Sequence, residues 1–167
     1  MIRAYDKTYL EDAMLNLAVA LDYGSIACAG GIDEFYDRML AGNVIRQFEK
    51  GNPKYVSGLS GIELGKRIIE STGGHVGDYN YLLDDRSAIF WTGWVLAYLQ
   101  WYTNLPFESM NAKGIDVHRV MDMYHTFHEA DISKFVASAL KIMSNSATDV
   151  SPLKRQRKSA GFTQQEL

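Results

Sequence analysis

Two histidines and two carboxylates, His118, Asp122, His125 and Glu129, recur at i, i+4, i+7 and i+11. On an unbroken helix that spacing places all four on one face, where such groups ligate a divalent cation or pass a proton. His128 adds a His-x-x-His pair with His125. The cluster lacks the His-Glu-x-x-His order of helical zinc hydrolases, and Asp131 has the chemistry of a cap for the next helix, so the helix is expected to end near Glu129. These five residues are therefore read as solvated or hydrogen-bonded polar groups. No metal ligand is assigned to them and no cofactor is implied.

Other chemistry is sparse. Gly73-Gly74-His75-Val76-Gly77-Asp78 has neither the glycine fingerprint nor the Lys-Ser/Thr ending of a phosphate loop, and reads as a connection between helices. Asp84 and Asp85 are neighbours in sequence, so on a helix their side chains diverge. No Gly-x-Ser-x-Gly motif occurs. Cys28 is the only cysteine, which excludes an intramolecular disulfide and fits a reducing, cytoplasmic setting. It has no basic sequence neighbours to activate it, and reads as a small buried residue. The residues argue against an enzyme, with a metal-dependent one built on the histidine cluster as the remaining catalytic reading.

Charge is unevenly placed. Residues 1–150 hold 13 Lys+Arg against 19 Asp+Glu, a net of −6, whereas residues 151–167 hold Lys154, Arg155, Arg157 and Lys158 against Glu166, a net of +3. Only the tail has the sign that phosphate neutralisation requires. The most apolar stretch, Ala88 to Tyr102, contains Thr92 and Gln100 and is too short to span a bilayer, so no membrane association is expected.

The elements that must carry these groups read as helices, with strand signals nearly absent. Leu10, Met14, Leu17 and Leu21 mark the buried stripe of a helix from about Thr8 to Ala27. Gly30-Gly31 breaks it. Asp33 is expected to cap a second helix that buries Phe35, Met39, Ile45 and Phe48 and ends at Lys50-Gly51-Asn52-Pro53. Ser60-Gly61-Ile62-Glu63 has capping-box spacing, with Leu59 and Leu64 placed for a hydrophobic staple, and starts a helix to about Ser71 that Gly73-Gly74 closes.

A fourth helix, about Asp85 to Tyr102, carries Phe90, Trp94, Ala97 and Trp101 on one face and Trp91, Val95 and Tyr102 on another. Being apolar nearly all round, it is expected to be central and its aromatics to be core rather than a base-stacking surface. Asn104-Leu105-Pro106 stops it. Asp116 then caps a helix from Val117 to about Phe127, and Asp131 caps another from Ile132 to about Ser144, with Phe135, Leu140 and Met143 inward. The fold class is all-α: a compact multi-helix, bundle-like domain over residues 1–145, a polar linker at 146–151, and a short helical segment at 152–167.

That last segment is the most informative. Ser151-Pro152 places a cap before a proline at the first helical position, and a short basic helix follows to Ala160, closed by Gly161. Thr163-Gln164-Gln165-Glu166 is a second capping box, with Phe162 and Leu167 placed for its staple. Helix, glycine turn and helix start make the first half of a helix-turn-helix. Leu153-Lys154-x-x-Arg157-x-x-Ala160-Gly161-Phe162-Thr163-Gln164-x-Glu166-Leu167 resembles the opening of the Cro/C1-type (XRE-like) repressor domain.

The resemblance implies that Leu153, Ala160 and Leu167 help form a small core, that Gln164 contacts the DNA backbone at a helix N-terminus, and that Arg157 fills a recurrent basic position. Lys154, Arg155, Lys158 and Thr163 complete the expected DNA-binding set. The match stops before the recognition helix, which reads base edges. The 167 residues are thus expected to carry the signature without the base-reading element. The preceding region, through Arg3-Ala4-Tyr5-Asp6 and Gly51-Asn52-Pro53-Lys54-Tyr55-Val56, is similar to an uncharacterised family of small bacterial helix-turn-helix-containing proteins.

The functional expectation is a DNA-binding regulatory protein, a transcriptional regulator or antitoxin-like protein, whose helical body senses, dimerises or binds a partner. The alternative is a protein inhibitor, of the antitoxin, immunity or anti-CRISPR kind, whose acidic body blocks a basic enzyme. Expected partners are DNA through the complete helix-turn-helix, a second copy of the chain, and a possible protein partner of the acidic body. The choice between regulator and inhibitor stays open at this level.

Overall fold

Asp6 starts the first helical segment: its carboxylate accepts the Thr8 amide at 2.9 Å and caps a 3-10 turn, Lys7–Tyr9. The turn runs directly into α1 (Leu10–Ala27). The computed structural model describes residues 2–77 and 80–149, whose regular elements are all helices, with no strand among them. After α1 come α2 (Gly31–Ala41), α3 (Val44–Glu49), a π-helical turn Lys54–Gly58, α4 (Gly61–Ser71), α5 (Ala88–Thr103), α6 (Phe107–Ala112), α7 (Val117–Asp122), α8 (Tyr124–Phe127) and α9 (Ile132–Asp149).

The second expected helix is two. Its backbone breaks at Gly42-Asn43, and α2 starts at Gly31, so Asp33 lies in the first turn instead of capping it. The buried set is as expected: Phe35, Met39, Ile45 and Phe48 are each at most 2% exposed. At α4 the capping box is complete, Ser60 Oγ accepting the Glu63 amide while Glu63 Oε1 accepts the Ser60 amide, both at 3.1 Å. Its end is a Schellman turn. Gly73 takes φ +86°, its amide reaches the Glu70 carbonyl, and the Gly74 amide reaches that of Ile69.

α1 is the centre, packed against α5, α4 and α2. It runs antiparallel to α5: Asp22 meets Ser87 at one end, and the Ala4 amide donates to the Trp101 carbonyl at the other. Gly93 lets the two backbones touch, since a Cβ there would stand 2.7 Å from Ala18 Cα and from the Leu17 carbonyl oxygen. Asp22, 5% exposed, ties the segment before α5 to α1 by accepting from the Tyr81 hydroxyl (2.6 Å), the Ser87 hydroxyl (3.1 Å) and the Asp84 amide (3.3 Å). Ser87, rather than a residue near Asp85, caps α5, accepting from the Phe90 amide.

α5 is central, as its composition demands, but its aromatics are not all core. Trp91, Val95, Ala97 and Trp101 are buried, Phe90 and Tyr102 half-buried, and Trp94 is 38% exposed. The reason is rotational: Gly93 faces α1, and the next residue projects about 100° round the helix. Leu15, Ile26, Leu82 and Leu83 are also exposed. Among the described residues no helix is long and apolar enough to cross a membrane.

Asp116 caps α7 through the Arg119 amide at 2.8 Å, and Asp131 accepts the Ser133 amide at the start of α9. The helix expected from Val117 to Phe127 is interrupted at Met123, which separates α7 from α8. α9 does not end at Ser144. It continues to Asp149, through the first residues of the expected 146–151 linker, because its apolar face, with Phe135, Val136, Ala139 and Met143 buried, carries the polar residues beyond it as further helical turns. The predicted helix-turn-helix segment, residues 152–167, lies outside the described residues.

Candidate functional site

The expected DNA-binding residues Lys154, Arg155, Arg157, Lys158, Thr163 and Gln164 all lie outside the described residues. The histidine cluster lies within them, and its members are engaged separately. His118 Nε2 bonds Asp33 Oδ1 across from α7 to α2. His128 stacks on Tyr124 with ring centroids 4.2 Å apart, and its Nδ1 donates to the Tyr124 carbonyl at 2.8 Å. That bond fixes the proton on Nδ1, since a carbonyl only accepts. Glu129 lies past the end of α8, 3.8 Å from His128 Nε2, and Asp122 and His125 are exposed. Among the described residues no three His, Cys, Asp or Glu side chains gather as a metal site would require.

Cys28 is 6% exposed, and burial pushes its thiol up, with the Glu34 carboxylate adding to the rise. It is a poor nucleophile.

A cavity of about 530 Å³ opens where α3, α5 and α6 meet. Three local devices build it. Gly51, at φ +77°, ends the α3 segment and leaves room for Tyr5, whose Cβ would be 2.3 Å from a Cβ at that position. This lets the N-terminal segment cross α3 and α5, where the Trp101 indole donates to the Tyr5 carbonyl at 2.8 Å and Ala4 borders the cavity. Asn104, the one non-glycine residue with positive φ among those described, takes the left-handed conformation that ends α5, and Pro106 turns the chain into α6.

Gln100 and Glu49 stand in the wall of this cavity. The Gln100 amide NH2 donates to the Glu49 carbonyl at 3.2 Å, which fixes the amide orientation, because the flipped form would set oxygen against oxygen. Gln100 Oε1 is then buried without a donor, in a residue 1% exposed. Glu49 Oε2 accepts the Phe107 amide at 2.7 Å. Burial pushes the Glu49 carboxyl up and nearby Glu108 adds to this, while the Phe107 amide and Arg46 pull it back. Arg46 gives its guanidinium to the Gly42 carbonyl at 2.6 Å, and no salt bridge neutralises Glu49 among the described residues. Leu40, Ile45 and Pro106 supply apolar wall, and Lys50 a cationic rim.

No protein-family model matches this chain, and neither a curated protein nor a solved structure does. The site must therefore be read from its own chemistry.

A smaller pocket, about 240 Å³, lies between α5 and α8, walled by Phe90, Trp91, Trp94, Tyr124 and His128 with Asp85 and Arg86 at its edge. Tyr124 holds it closed on one side, its hydroxyl donating to the Arg86 carbonyl at 2.8 Å and its ring meeting Trp91 edge-on at 5.8 Å. Sequence reasoning missed the larger cavity. Gln100 was a visible signal, a long polar side chain in the most apolar stretch, but its partner Glu49 is 51 positions away.

Proposed function

We propose that this chain belongs to a DNA-binding regulatory protein in which residues 152–167 are the first half of a helix-turn-helix and the helical body is a sensing and dimerising domain. The observation that carries the reading is the tail sequence: a basic helix, a glycine turn and a capping box in register, +3 in charge on a body of −6. Lys154, Arg155, Arg157 and Lys158 contact phosphates, and Thr163 and Gln164 seat the second helix on the backbone. The body supports a sensing role by holding a cavity of about 530 Å³ where α3, α5 and α6 meet. It supports dimerisation by exposing Leu15, Ile26 and Trp94.

A gel-shift titration of the complete gene product on DNA flanking its own gene tests this. Binding is expected, weakening steeply with salt and by roughly tenfold or more in Arg157→Glu. Salt-independent binding, or none at low salt, overturns it. The inhibitor reading is favoured by a different observation, the acidity of the body, and is the better one if a basic protein copurifies in fixed stoichiometry while DNA does not bind.

A further inference from the structure

We propose that the pocket between the end of α6, α7 and α9 binds a doubly charged phosphate group, as inorganic phosphate or a small phosphomonoester. Lys113 and Arg119 supply the matching positive charge, and Asn145 and Ser146 supply neutral donors. The site belongs to the helical body and goes beyond the DNA-binding reading, on which it does not rest.

The turn out of α6 builds the pocket, which holds about 220 Å³. Gly114 takes φ +97°, a conformation that glycine adopts at no steric cost, and its amide donates to the Asn111 carbonyl at 3.2 Å. Its missing side chain lets two elements close in. A Cβ on Gly114 would stand 3.3 Å from Ile142 Cγ2 of α9 and 3.9 Å from Arg119 Nη1 of α7. The Arg119 guanidinium therefore lies beside the turn that carries Lys113, and α9 adds Asn145 and Ser146 to the lining.

Charge selects the ligand. The lining includes two cations and no carboxylate, on a body whose residues 1–150 hold 19 Asp+Glu against 13 Lys+Arg. Asp116, between the two cations in sequence, gives its Oδ1 to the Arg119 backbone amide at 2.8 Å, and no ion pair holds Lys113 or Arg119 among the described residues. Lys113 is half-buried, so solvent screens it less than a fully exposed lysine. A cationic ligand would meet two like charges, and a neutral one would leave both unanswered. A carboxylate brings one negative charge, whereas a phosphomonoester carries close to two above its second pKa of about 6 and presents three strong acceptor oxygens.

The test is a titration of the ¹⁵N-labelled chain with sodium phosphate to about 20 mM, at ionic strength held constant with sodium chloride, since a ligand this small binds weakly. A pH of about 7.5 keeps the phosphate doubly charged. Methyl phosphate serves as the monoester, and dimethyl phosphate as a singly charged diester that stands for a DNA backbone link. Saturable shifts are expected at the Gly114 and Arg119 amides and at the side-chain amide of Asn145, with phosphate and methyl phosphate alike. Binding should be roughly tenfold weaker for dimethyl phosphate, and for phosphate in Lys113→Gln and in Arg119→Gln. Neither side chain makes an ion pair among the described residues, so both variants should keep the fold, which the same spectra report. Absence of saturable shifts overturns the proposal. Equal affinity for dimethyl phosphate does the same and assigns the pocket to the DNA backbone, and unchanged binding in either folded variant removes the charge pair on which the proposal stands.

Discussion

At the scale of single residues, Glu49 is the group whose environment differs most in consequence from its neighbours. The carboxylates of Asp6, Glu34, Glu63 and Asp131 are held low, each by a hydrogen bond from its local turn. Their contribution is present at neutral pH and lost as pH falls through their lowered values. Glu49 has the opposite sign. Its raised carboxyl binds a proton more tightly in the folded chain than in the unfolded one, so stability is greatest below the ordinary carboxyl value and declines as pH rises between that value and the raised one.

Glu49→Gln removes this dependence. Thermal unfolding is expected to show the variant melting above the parent at about pH 7 and level with it at about pH 4. A variant that melts lower at neutral pH would mean that the carboxylate is compensated in the folded protein. Nothing in the sequence around Glu49 marks it, since Arg46 precedes it by one turn and suggests an ordinary surface pair. The contact that ties its backbone into the fold comes from Gln100, 51 positions away.

At the scale of elements, the contact between α1 and α5 carries the body, and it depends on one missing side chain. Gly93→Ala would drive a Cβ into the Ala18 and Leu17 backbone, which cannot yield as a side-chain tip would. A loss of about 1–3 kcal/mol in urea unfolding is expected. No loss would mean that the helices separate without cost.

Elements were legible where local chemistry decides them. Ser60 with Glu63, Asp116 and Asp131 set helix starts by short-range hydrogen bonds, and the stripe of Leu10, Met14, Leu17 and Leu21 set α1. Other boundaries were not legible. The breaks at Gly42-Asn43 and Met123, the π-helical turn at Lys54–Gly58 and the short α6 after Pro106 carry no capping box or apolar stripe that would have marked them in advance. Polar composition misled at 146–149, where one apolar face suffices to extend α9. The cleft was illegible because its wall joins Ala4, Glu49, Gln100 and Ser109, which are far apart in sequence.

At the scale of the whole molecule, charge divides the chain into an acidic body and a basic end, and the body carries a cleft where α3, α5 and α6 meet. A dimer of such bodies would present two tails with two-fold symmetry, and the DNA they bind would share it. Sequence selection by the complete gene product from a pool of random duplexes tests this most directly. Enrichment of an inverted repeat is expected, with half-sites about one helical turn, roughly 10 base pairs, apart. Recovery of no enriched sequence at low salt, with the protein folded, would contradict it.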